Sequence, residues 1–387
     1  MSEPVHRARR SPGRFVAELR ASVELQPVLV PVYAILLALL VASVVILLVG
    51  GNPLEAYSAL LRGMFGNPDR IAASLGRSTP FIGASLAVAF AFRAGLFNIG
   101  AEGQLLVGAT TAAWVGTLSW LADVPGPIAI PIIVLAGAVG GGIYGGIPGV
   151  LKAKTGAHEV IVTIMLNNIA ILMVRWLVNS QDPLILREAG ASVARTAPLP
   201  ASARLPEVIS TDPPVHLGFF LAIGLCVVVW FVLRRTTFGF EVRTVGANPS
   251  AAKYAGMGVG RTIIIVMLLS GAFAGLAGAG EITGTEGFLS PGVFVGIGFD
   301  AIAIALLARA NPFGIILTSI LWGSMLSGAP LMQQETGLSI DSVRIIQALV
   351  VLFVAADVIV RTLFRIRAAE GHGLDTSHVS AGWAGPT

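Results

Sequence analysis

Between two apolar stretches of the chain stands Phe92-Arg93-Ala94-Gly95-Leu96-Phe97-Asn98-Ile99-Gly100-Ala101-Glu102-Gly103-Gln104. Its Asn98, Glu102 and Gln104 can donate and accept hydrogen bonds, and Phe92 and Phe97 can stack on a planar ring. A second polar pair, Asn167 and Asn168, falls within another apolar run. These residue types suit recognition of a polar solute rather than the making or breaking of bonds. In hydrocarbon an unpaired polar group is costly, so such a segment survives only where protein covers it or water reaches it. A membrane chain that carries it is expected to move something, not merely to anchor. Each residue also has a structural reading. The asparagines can bond between helices, Glu102 can pair with Arg93, Asp300 can cap a helix over Ala301 to Leu307, and the phenylalanines can pack in the core. For Glu102 and its neighbours, shaping the break is favoured over touching the solute.

Covalent chemistry finds no support. The chain has no Gly-x-x-x-x-Gly-Lys-Ser/Thr loop, so ATP binding by that route is not expected. Gly256-Met257-Gly258-Val259-Gly260-Arg261 does not complete a dinucleotide fingerprint, and Gly296-Ile297-Gly298-Phe299-Asp300-Ala301 lies in an apolar run without a preceding strand. His6, His158, His216, His372 and His378 are scattered without metal-ligand spacing, and Cys226 is alone. No catalytic residue, metal or cofactor is expected.

The elements that must hold these residues follow from composition. Of 387 residues, 55% are hydrophobic and 12% charged, about half the charge of a soluble domain. The expected architecture is all-α: a polytopic bundle of about ten spans (eight to ten) near 28–50, 72–92, 99–122, 126–150, 159–179, 216–234, 262–281, 292–309, 312–329 and 343–361. At least one helix is broken, and 292–309, rich in glycine, reads as a half-helix. The net charge of +4 sits in short loops and tails, which points to topology rather than nucleic acid. The lysines and arginines place both termini inside, with a basic cytoplasmic leader at 1–26, a transmembrane domain at 27–365, an extracytoplasmic loop at 180–214 and a disordered cytoplasmic tail at 366–387. The 180–214 loop reads as a solvated connector more than a docking surface. Gly137, Gly141, Gly145 and Gly149 share one helix face, as do Gly271, Gly275 and Ala279, and both series predict close helix packing.

The longest inside loop, 235–261, contains its own start and stop signals. Asn248 followed by Pro249 is an N-cap with proline at the first helical position. Ser250 to Ala255 favours helix, and Gly256 suits a left-handed C-terminal cap. A plain connector has no need of such a helix, so it is read as a protein-docking element.

Three strings now carry a resemblance: Gly95 to Gln104; Val245-Gly246-Ala247-Asn248-Pro249 with Ala251-Ala252 and Tyr254-Ala255-Gly256; and Gly298-Phe299-Asp300-Ala301-Ile302-Ala303. In that order, from about Leu54 to Arg361, the chain resembles the ribose, branched-chain amino acid and nucleoside class of ABC importer permeases. The first string is similar to the nucleoside branch. Thr163-Ile164-Met165-Leu166-Asn167-Asn168 is similar too, departing at Asn168, where that branch commonly has tyrosine. The resemblance implies a bacterial plasma-membrane importer of nucleosides or related small polar solutes. It implies a separate ABC ATPase subunit, a second permease subunit taken as a different chain, and an extracellular lipid-anchored binding protein. It makes the capped helix a coupling helix, with Gly239, Arg243, Gly246, Asn248, Pro249, Ala251, Ala252, Tyr254 and Gly256 at the ATPase contact. The rival reading is an ion-coupled carrier, for which only Glu102 and Asp300 offer a relay.

Overall fold

The computed structural model describes residues 26–355 apart from 182–184 and 293. The basic leader up to residue 25 and the tail at 366–387 lie outside the described residues. The chain divides into two units. Residues 1–45 with 348–387 form one, whose described part is most of helix α1 (Gln26–Leu48) and the last turns of α13 (Asp341–Ala355). Residues 46–347 form the other, and all the candidate residues belong to it.

Within this larger unit an asparagine–proline pair opens four helices. Asn52, Asn67, Asn248 and Asn311 each accept a backbone N–H with Oδ1, from Leu54 (3.0 Å), Arg70 (2.8 Å), Ala251 (2.9 Å) and Phe313 (3.1 Å). The proline that follows has no N–H to satisfy and its φ is already helical. The helices are α2 (Pro53–Phe65), α3 (Pro68–Arg93), α9 (Pro249–Tyr254) and α12 (Pro312–Thr336). The others are α4 (Ala101–Gly116), α5 (Gly126–Thr155), α6 (Glu159–Asn179), α7 (Leu217–Arg235), α8 (Thr237–Ala247), α10 (Val259–Glu281) and α11 (Ile297–Leu307). A π-helical turn, Ile282–Glu286, continues α10.

Among the described residues six helices are long and apolar enough to cross a membrane: α3, α5, α6, α7, α10 with its π-turn, and α12. A seventh span results if the bent pair Tyr33–Leu48 and Pro53–Phe65 counts as one. The expected span at 343–361 runs past Ala355 and lies partly outside the described residues, and two others of the ten correspond to shorter helices. The stretch 99–122 holds the 16-residue α4 and 292–309 holds the 11-residue α11. Helix α11 is cut short by irregular backbone at its N-terminal end, where Gly292 (φ 97°) and Gly296 (φ 99°) take the left-handed conformation, whereas α4 starts near the expected position and stops early at Gly116.

The two glycine series meet. A Cβ on Gly141 would stand 2.5 Å from the carbonyl oxygen of Gly271 and 2.7 Å from Cα of Gly275, and one on Gly145 would stand 2.8 Å from Cα of Gly271. So α5 and α10 pack backbone to backbone, as a membrane interface with no hydrophobic drive requires. Around this seam α3 and α4 are enclosed, with Phe90 of α3 edge-on to Phe273 of α10 at 5.4 Å. The 180–214 loop is stitched down rather than free. Its Thr196, Leu199 and Leu205 N–H groups donate to Leu289, Gly287 and Thr283 carbonyls at 2.7–2.9 Å. It also holds strand β1 (Glu207–Ile209), antiparallel to β2 (Val215–His216).

Candidate functional site

The chain leaves α3 at Arg93 and re-enters helix at Ala101, and residues 94–100 form the break. Asn98, fully buried, uses its whole amide there. Nδ2 donates to Gln104 Oε1 and to Ser270 Oγ, both at 2.8 Å, while Oδ1 accepts from Gly100 N–H and Gln104 Nε2, both at 3.0 Å. Ser270 Oγ in turn donates to the Ala87 carbonyl at 2.7 Å. Three helices are thereby tied to the break through one amide pair. Ser270 was not singled out from sequence, since a lone serine in an apolar run gives no spacing signal.

Glu102, also fully buried, does not pair with Arg93. Its Oε1 accepts from Gly296 N–H at 2.7 Å and its Oε2 from Gly298 N–H at 2.6 Å. These are free donors at the start of α11, so a carboxyl from α4 caps a helix 194 residues away. Asp300 therefore is not the cap. Helix α11 begins at Ile297 and has Asp300 in its first turn, with no side-chain cap of its own. Arg93 instead donates Nε to the Ala310 carbonyl at 3.0 Å.

Asn167 is buried and bridges α6 to the break, accepting from Gly103 N–H with Oδ1 and donating Nδ2 to the Ile99 carbonyl, both at 2.9 Å. Its neighbour Asn168 is exposed, and its amide returns to Ile164 of its own helix at 3.1 Å. The Phe92 and Phe97 rings pack together at 4.9 Å, with Phe97 37% exposed. At the same end Lys152 Nζ lies 2.5 Å from Glu159 Oε2, closing the α5–α6 corner, and Glu159 Oε1 accepts the Phe97 N–H at 3.4 Å.

The candidate coupling residues lie on two helices, not one. Helix α8, unforeseen in the sequence, is capped by Thr236, whose Oγ1 accepts from Gly239 N–H at 3.0 Å. Asn248 ends α8 and starts α9. Gly256, at φ 79°, stops the second helix as expected. Gly239 lets α8 press on the last turns of α7, where a Cβ would stand 2.6 Å from Leu233 Cα. Gly246 lies on the entrance to the break, with a Cβ there meeting Ala94 Cα at 3.0 Å. Arg243 is exposed and donates Nε to the Gly239 carbonyl at 3.3 Å. On α9, Pro249, Ala251 and Tyr254 are exposed, Tyr254 at 95%, whereas Ala252 is buried within the chain. Among the described residues no group of His, Cys, Asp and Glu could hold a metal ion.

Apolar helices thus surround a broken, polar centre, and the helix pair α8–α9 carries exposed residues next to it. Residues 70–355 match the family described as branched-chain amino acid transport system, permease component. The chain belongs to that family. This permease is 43% identical to the guanosine ABC transporter permease NupP of Bacillus subtilis over 87% of its own length and 95% of that protein's. It is 34% identical to the nucleoside ABC transporter permease NupB of Lactococcus lactis, over 87% and 93% of the two chains. It is 35% identical to the glucose ABC transporter permease TsgB13 of Haloferax volcanii, over 84% and 86%. No solved structure matches it. The permease is thus a multi-pass membrane subunit whose relatives serve ABC transporters of nucleosides and sugars.

Proposed function

We propose that this permease lines the pathway of an ATP-driven importer of nucleosides or related small polar solutes in a bacterial plasma membrane. It works with a separate ATPase subunit, a second and different permease chain, and an extracellular lipid-anchored binding protein. The full bundle has about ten spans with both termini inside, made up by the shorter helices α4 and α11 and by the span that begins in α13. The observation that carries the reading is the packing of Gly246 on residues 93–94. It gives a push on α8–α9 a direct mechanical path to the polar break. Nucleosides are favoured over sugars because two relatives over most of the chain are named for guanosine and nucleosides.

The exposed face of α9, led by Tyr254 and Ala251, is the ATPase contact. Phe92, Phe97 and Asn168 face the pathway, while Asn98, Glu102, Gln104 and Asn167 hold its shape. An ion-coupled carrier loses its best relay group, since both Glu102 oxygens are engaged by backbone N–H groups. The deciding experiment reconstitutes the chain with its ATPase and partner permease in proteoliposomes. Uptake of a labelled nucleoside is expected only with the binding protein and ATP. Uptake by the purified chain alone, driven by an ion gradient, would overturn the reading.

A further inference from the structure

At the end of the bundle where α3 and α7 finish and α12 begins, a cavity of about 430 Å3 opens between Arg93, Arg234, Arg235, Arg243, Trp230 and Asn311. Among the described residues no carboxylate oxygen comes within 4.0 Å of any of these four guanidinium groups; the ion pairs present involve other residues. Two of the arginines are held in place by neutral partners. Arg93 is fixed through Nε to the Ala310 carbonyl, and Arg243 through Nε to that of Gly239. Arg234 sits over the Trp230 ring at 5.8 Å. The N-terminus of the 25-residue α12 lines the same cavity through Asn311 and Pro312, and its dipole adds positive potential there. Four like charges gathered around an open space, with no counter-charge among the described residues, make an environment that favours an anion.

We propose that this cavity binds the phosphodiester headgroup of an anionic membrane lipid. The lining decides for a lipid over a soluble anion. The charges sit where two candidate spans end, beside a tryptophan, the side chain that settles at the headgroup level. From Trp230 an apolar surface leads into the span. Phe313 packs its ring 5.6 Å from Trp230 and is 44% exposed, and Leu317, one turn further along α12, is 72% exposed. An acyl chain would lie along that face while the phosphate meets the arginines. Basic pockets between spanning helices take anionic headgroups on these grounds. A lipid seated there would touch Arg93 at the entrance to the break and Arg243 on α8, so the membrane's composition would bear on how the coupling helices sit.

The test uses the full chain purified in detergent and offered equal amounts of phosphatidylglycerol and phosphatidylethanolamine, with retained lipid counted by native mass spectrometry. Phosphatidylglycerol is expected in excess by about fivefold or more, on the scale of one to two basic contacts. The excess should fall as salt rises. It should vanish in R234A/R235A and persist in R234K/R235K. The salt series needs no variant, so poor folding of the alanine form leaves the test intact. Equal retention of the two lipids by the wild-type chain, or an undiminished excess in a folded R234A/R235A, overturns the proposal. Inorganic phosphate at millimolar concentration raising the melting temperature as much as phosphatidylglycerol does would point to a free anion and overturn the lipid assignment. An unchanged lipid excess with lost ATPase assembly in R234A/R235A would assign the cavity to an acidic protein surface instead. Neither ATPase nor solute enters the lipid assay, so its failure leaves the transport reading standing.

Discussion

The break with the start of α4 (residues 94–104) and the helix pair α8–α9 are both polar interruptions of an apolar chain, but they treat their polar groups in opposite ways. In and around the break, Asn98, Glu102 and Gln104, with Asn167 of α6, are buried and each is bonded within the protein. At α8–α9, Arg243, Ala251 and Tyr254 face outward. The first arrangement spends polar side chains on architecture, holding two helix ends and three neighbouring helices in register. The second leaves recognition surface for something else to cover. Polarity inside a membrane protein is therefore not by itself a mark of contact with solute. Whether a group's valences are already filled is the better guide, and by that measure the buried groups at the break form a frame, as proposed above, with the exposed neighbours left for contact.

The sharpest way to break this contrast is Glu102→Leu. It strips both acceptors from the Gly296 and Gly298 N–H groups and leaves them buried, at about 1–3 kcal/mol each. The loss expected is roughly 2–6 kcal/mol, seen as a large fall in the thermal midpoint of the detergent-solubilised chain. Glu102→Gln keeps one acceptor oxygen and should fall between. A Glu102→Leu chain as stable as wild type, with uptake lost, would make Glu102 a solute ligand rather than a cap. Asn98→Ala comes next. It opens the amide pair to Gln104 and leaves Ser270 with one partner fewer, for about 1–3 kcal/mol. Differential scanning fluorimetry should register it, and Ser270→Ala should cost less in the same assay.

What could be read before the fold was known tracks how local each signal is. The break announces itself by residue type, and the α5–α10 seam by glycines four apart, because both are written in neighbouring residues. The α9 helix was legible for the same reason, since Asn248, Pro249 and Gly256 supply its cap, first turn and stop within nine positions. The partner of Glu102 was not, because backbone N–H groups carry no residue signature and lie 194 positions away. Helix α8 was missed because Thr237–Ala247 contains β-branched residues and two glycines, poor helix formers in isolation. What holds it is the Thr236 cap and the close seating of Gly239 on α7. Ala252, an expected contact residue, is buried within the chain, and a single residue on a short helix carries no sequence signal of which way it will face.

On the outward side the effects should be smaller and of a different kind. Tyr254→Ala removes a 95% exposed ring, so stability should change by less than about 0.5 kcal/mol. Association with the ATPase should weaken about tenfold or more, the scale of an aromatic interface anchor. A pull-down or titration with the purified ATPase reads this directly, and unchanged affinity would remove α9 from the docking surface. Ala252→Phe is the internal contrast. It should lower stability first, because its Cβ already faces protein rather than partner.

The mildest substitution is also the one that separates the two halves of the comparison within two adjacent residues. Asn167 and Asn168 share a helix and a side chain, yet one is buried and bridges to the break while the other is exposed and bonded only to its own helix. Asn168→Ala should leave the melting temperature within the equivalent of about 0.5 kcal/mol, whereas Asn167→Ala, orphaning the Gly103 N–H, should cost about 1–3 kcal/mol. If Asn168 lines the pathway, its alanine and tyrosine variants should alter the KM for nucleoside uptake in the reconstituted importer while protein level and ATPase association stay constant. If KM is unmoved by either, its face of α6 looks to lipid or to the second permease. Filled valences would then account for the frame, and the solute would have to be recognised elsewhere, with Phe92 and Phe97 next in line.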